Sequence, residues 1–234
     1  MKKKLVVAAT ALSLLVPSLS HSVSAQTNES NASLYEQIQS ANLTVEEKNQ
    51  LTKDGKVIQA IDPQEIKKAL NKRIEMTSGE EEKEIVFDDG SAIVISIGEA
   101  PVSVATDSNS SAALQPAKYV GKVRGATAYK IVSWTGATLM TYTMYQDAVT
   151  NGEKLTSWEP SPTSSIDTTP LLNLWELVSE IPSVRSSGTG CVATMNPKFK
   201  FGVSDFINFQ SLSLKGTLVM YGDGTYKGFW EVLG

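Results

Sequence analysis

Carboxylates are the only hydrolytic apparatus this chain offers, and Asp147, Glu153, Glu159, Asp205 and Glu231 lie in its aromatic-rich half. A glycosidase needs two carboxyl groups, about 5 Å apart for retention or about 6.5–9.5 Å for inversion. No spacing motif singles out a pair among the candidates. Glu231 follows Trp230, and a strand would send those two side chains to opposite faces. Glu159 follows Trp158 in a stretch rich in Ser and Pro. Glu231 and Glu159 are therefore the catalytic candidates for a sandwich-type glycosidase. A solvated carboxylate at a strand end is the competing reading of each.

Other machinery is ruled out by composition. The sole histidine, His21, falls in a segment that reads as a removable leader. Without an imidazole the rest of the chain cannot build a Ser-His-Asp triad, a Cys-His pair or a His-ligated metal centre. Cys191 is the only thiol, so it has neither a disulfide partner nor a base to generate its thiolate. It reads as a small buried hydrophobe at the start of a strand.

Gly188-Thr-Gly190-Cys-Val-Ala193 matches the loose dinucleotide fingerprint. That mechanism needs a helix next, and here a strand-like run reaches Asn196-Pro197. The Asp-Gly pairs at Asp54, Asp89 and Asp223 lack the Asp-x-Asp-x-Asp-Gly spacing of a calcium loop and read as turns. No metal and no cofactor are expected.

Binding chemistry is better represented. Trp and Tyr rings offer apolar faces with a polar handle, the form that stacks on a sugar ring. Trp158 stands in the loop-like run Lys154–Pro162, and Tyr142 and Tyr145 lie on an alternating segment. Lys198-Phe-Lys200-Phe alternates base and ring, which on a strand puts both lysines on one face. Trp158, Tyr142, Tyr145, Lys198 and Lys200 are the ligand-binding candidates. A Trp158 that plugs the sheet edge, and lysines that simply face water, are the plainer alternatives.

The elements that must position these residues follow from pattern. Lys2, Lys3 and Lys4, an apolar run from Leu5 to Val16, Pro17, and Val23-Ser24-Ala25 spell a signal peptide over residues 1–25. Its apolar run falls short of the roughly 20 residues that span a bilayer. Loss of three lysines takes the net charge from −4 to −7, which disfavours nucleic acid as a partner. Residues 26–99 read as an acidic helical segment with a β-hairpin. Thr44-Val-Glu-Glu47 and Asp62-Pro-Gln-Glu65 fit capping boxes, with the second helix running to Ile74. Ile85–Asp88, Asp89-Gly90 and Ser91–Ile97 form the hairpin. Residues 100–117 are small and polar, a linker or long loop.

Residues 118–234 carry all four Trp and alternate like strands. They predict an antiparallel β-sandwich or partly closed barrel, mainly β, with one covering helix. That helix would open at Pro170, bury Leu171, Leu174, Trp175, Val178 and Ile181, and stop at Pro182.

The expected protein is thus a secreted, bacterial, non-catalytic β-domain, extracellular or loosely held at the cell surface. Its expected partner is a cell-wall glycan or an extracellular protein. The alternative is the carboxylate glycosidase. A membrane-active role for the Thr-rich segment 137–145 is remote, because transmembrane strands need about 9–11 residues with one lipid-facing side.

Overall fold

Alternation of large apolar and polar residues sorts the strands into two antiparallel sheets whose apolar faces meet. The computed structural model describes residues 34–71, 74–77, 82–98, 119–168, 175–201 and 210–233. The leader, residues 100–117 and Asp205 lie outside them.

Among the described residues three short α-helices come first: α1 (Leu34–Ser40), α2 (Val45–Leu51) and α3 (Pro63–Ala69). The Thr44 hydroxyl accepts the Glu47 N–H at 3.2 Å while the Glu47 carboxylate accepts the Thr44 N–H, a complete capping box. At α3 the Asp62 carboxylate accepts the Gln64 N–H at 2.8 Å with Pro63 in the first turn, and Glu65 pairs with Lys68 instead of reaching back. Between α2 and α3, β1 (Thr52–Lys53) and β2 (Lys56–Val57) form a miniature hairpin. Its turn residues Asp54 and Gly55 have φ of 50° and 73°, the left-handed pair that a two-residue hairpin favours. Helix α3 ends at Ala69 rather than running to Ile74, which instead opens β3 (Ile74–Thr77).

The remaining strands are β4 (Glu82–Val86), β5 (Ala92–Gly98), β6 (Gly121–Val132), β7 (Thr138–Thr150), β8 (Leu155–Trp158), β9 (Thr163–Thr168), β10 (Trp175–Ser187), β11 (Gly190–Phe201), β12 (Gln210–Met220) and β13 (Tyr226–Leu233). One sheet runs β10-β11-β12-β13-β3; the other runs β4-β5-β6-β7-β8, with β9 also on β7. This is the expected mainly β architecture, an antiparallel sandwich preceded by a small helical segment.

The sandwich does not begin at residue 118. Residues before that point supply β3 to one sheet and β4 and β5 to the other. The helical segment 34–70 closes one end of the core, contributing Ile38, Leu51, Ile61, Ile66 and Leu70 to the same buried cluster. Polar ties fix that plug: Ser133 Oγ donates to Gln50 O at 2.7 Å, Trp134 Nε1 to Asn49 O at 2.7 Å, and Ala60 N–H to Ser91 Oγ at 3.1 Å.

The covering helix is corrected by the structure. Residues 175–187 form β10, an edge strand paired along β11. Val178 and Ile181 are 41% and 63% exposed, so neither is buried, while Pro170, Leu171 and Leu174 lie outside the described residues. Alternation wins instead: Leu177 and Val184 pack on the core, and a bulge lies between Leu177 and Ser179. Pro182 is tolerated because an edge strand has a side with no ladder to break.

Candidate functional site

Long strands β6 and β7 set the geometry. In β6, Val123 and Gly125 are buried while Lys122 and Arg124 point to solvent. Asp147 of β7 lies directly opposite Arg124, and Val149 opposite Lys122. β8 continues the surface, pairing Ser157 with Val149 and Trp158 with Ala148. The three strands frame a groove of about 470 Å³, walled by Lys122, Arg124, Asp147, Ser157, Trp158 and Glu159.

Arg124 grips Asp147 with two parallel bonds, Nε to Oδ1 and Nη2 to Oδ2, both 2.7 Å. This planar fork is the strongest geometry open to the pair. It holds the Asp147 carboxyl below the usual carboxylate range and raises Arg124 further. The guanidinium also lies 5.6 Å from the centre of the Tyr145 ring, within cation–π distance. Tyr145 Oη stands 3.3 Å from Ser165 Oγ on β9.

The far wall is pinned from below. The Glu159 N–H donates to Asp147 O at 3.0 Å, extending the β7–β8 ladder by one residue. Buried Gln146 donates Nε2 to both Asp147 O and Glu159 O at 3.0 Å. Trp158 is half-buried and packs on the core while also lining the groove. Its pairing with buried Ala148 turns the indole to the core face, opposite to Ser157, so Trp158 is the edge plug.

Of the residues singled out from sequence, the structure brings Trp158, Tyr145 and Glu159 to this region. Tyr142 is corrected: it is fully buried, edge-on to Phe199 and Trp230, with its hydroxyl donating to Glu180. Its inward direction follows from register, since Met140, Tyr142 and Met144 share the core face. Burial and the Glu180 bond push its phenol far above its ordinary value.

Lys198 and Lys200 stand on β11, in the other sheet, with Phe199 buried between them. Glu231 is on β13 of that same sheet and accepts a 2.6 Å bond from Lys215 across the strand pair. Glu231 thus stands on one sheet, while Glu159 follows β8 and is hydrogen-bonded to β7 of the other.

Sequence reasoning missed Lys122, Arg124 and Gln146. The signal was the Lys-Val-Arg alternation facing Asp147, readable only once strand register is known. Among the described residues no cluster of three metal-ligating side chains occurs, and no helix is long and apolar enough to cross a membrane. Comparison of the chain with family models, curated proteins and solved structures finds no match.

Proposed function

We propose that this is an exported, non-catalytic β-sandwich that binds a polymer or protein of the cell surface in the β6–β7–β8 groove. The observation that carries the reading is the groove itself. It sets a guanidinium–carboxylate fork, a lysine, a hydroxyl and the apolar Val149 on one face of three hydrogen-bonded strands. Such sites need few polar groups, rigidly held, beside an apolar surface.

Binding is favoured over hydrolysis by the state of the acids. A general acid must keep its proton near neutral pH, and Arg124 drives Asp147 the other way. Glu231 is engaged by Lys215 on the opposite sheet. The export reading rests on the leader pattern of residues 1–25.

The test is retention of the full secreted chain on isolated cell-wall material. Ser157 is exposed and lines the groove, so Ser157→Arg fills it without touching the core. This variant should lose retention by about tenfold with its circular dichroism unchanged. Undiminished retention of a folded Ser157→Arg protein would refute the assignment.

A further inference from the structure

Resting on that reading, we infer that the groove takes an uncharged, hydroxyl-rich glycan chain and not a polyanion. Its wall carries two cations, Lys122 and Arg124, and two carboxylates, Asp147 and Glu159. The charges cancel within the site. Arg124 is the group best shaped for phosphate, and its Nε and Nη2 donors already hold both Asp147 oxygens at 2.7 Å. A phosphate chain would have to displace one carboxylate and lie beside another. The whole chain is also acidic, with a net charge of −4, so its long-range field does not gather polyanions.

A neutral sugar meets no such opposition. Each hydroxyl both donates and accepts, so neighbouring hydroxyls can give to an Asp147 oxygen and take from a remaining Arg124 N–H without breaking the fork. Ser157 adds one more donor and acceptor. Val149, paired with Lys122 on one side and Ser157 on the other, supplies an apolar patch for the C–H face of a ring. The charged fork then acts as a fixed, planar hydrogen-bonding template for a ligand that carries no charge.

The experiment uses walls from a bacterium without an outer membrane, before and after hydrofluoric acid removes phosphate-linked polymers. A further portion is stripped of protein with hot detergent. Retention is measured at about 50 mM and about 500 mM NaCl, a range over which exposed charge–charge attraction is largely screened. Retention on both stripped walls, changing less than about twofold with salt and lost in Ser157→Arg, is the expected result. Loss after the acid step, or a fall of about tenfold with salt, overturns the neutral-glycan inference while leaving the groove assignment intact. Loss after the detergent step points to a wall protein and overturns it equally. Retention indifferent to Ser157→Arg, or no retention on untreated walls, removes the groove assignment and this inference with it.

Discussion

The indole N–H of Trp230 donates to the Thr127 hydroxyl at 3.0 Å, joining the two sheets through the middle of the core. Trp230 is fully buried, tilted on Tyr129 and edge-on to Tyr142. Thr127→Val keeps the side-chain shape and removes the acceptor, leaving a buried donor unsatisfied. The expected cost is about 1–3 kcal/mol. It should appear in urea unfolding as a lower midpoint with an unchanged slope.

Gly216 faces the same ring from β12. A Cβ there would lie 2.7 Å from Trp230 Cη2 and 2.9 Å from Cζ3. Neither the indole nor the strand backbone can retreat in a packed core, so Gly216→Ala should destabilise by about 1–3 kcal/mol. The near-ultraviolet circular dichroism should change with it. A variant as stable as the parent would show that the ring has room to move.

Acid should loosen the rim of the groove. Arg124 depresses the Asp147 carboxyl in the folded state. Its contribution is therefore present above the unfolded value of about 3.9 and is lost as pH falls through the lower folded value. The pair is partly exposed, which limits the contribution to roughly 1 kcal/mol. Urea midpoints followed from about pH 7 to about pH 2 should fall less steeply for Asp147→Asn than for the parent. Superimposable profiles would remove the coupling.

Cys191 is buried and its thiol is pushed up to about 11 by desolvation. The native protein should resist iodoacetamide at about pH 8, where even an ordinary thiol is only partly ionised. In urea one equivalent should react. Rapid labelling of the native protein would contradict the burial.

A single cut within residues 100–117 should leave two fragments that travel together on size exclusion. β5 pairs with β6 and β3 with β13 across that cut, and both sides share one core. Separation of the fragments without denaturant would show that those pairings are weak.

Local signals in the sequence were faithful where one element decides its own shape. The Thr44 cap, the Asp89-Gly90 turn and the alternation of Leu212, Leu214, Leu218 and Met220 all stand as pattern reading places them. Residues 175–187 misled because apolar positions three and four apart also admit a bulged strand, and Pro182 suits a helix stop and an edge strand alike. The groove was hidden for a related reason. Counting back from the Val132–Thr138 pair beside the Thr135-Gly136 turn sets Arg124 opposite Gln146. A bulge between Ile131 and Val132 shifts the register by one and delivers Asp147 instead. Bulges leave no reliable mark in composition, so the fork could not be read beforehand.

The pairing of Ile74–Thr77 with residues 227–230 joins stretches that synthesis separates by most of the chain. An early edge stays bare until the final residues are free to fill it. Contacts this distant in sequence form slowly and late. A chain threaded through a narrow pore would emerge with its last strand missing, and so would stay unlocked until passage is complete. The topology thus delays closure of that sheet until the C-terminal strand is available.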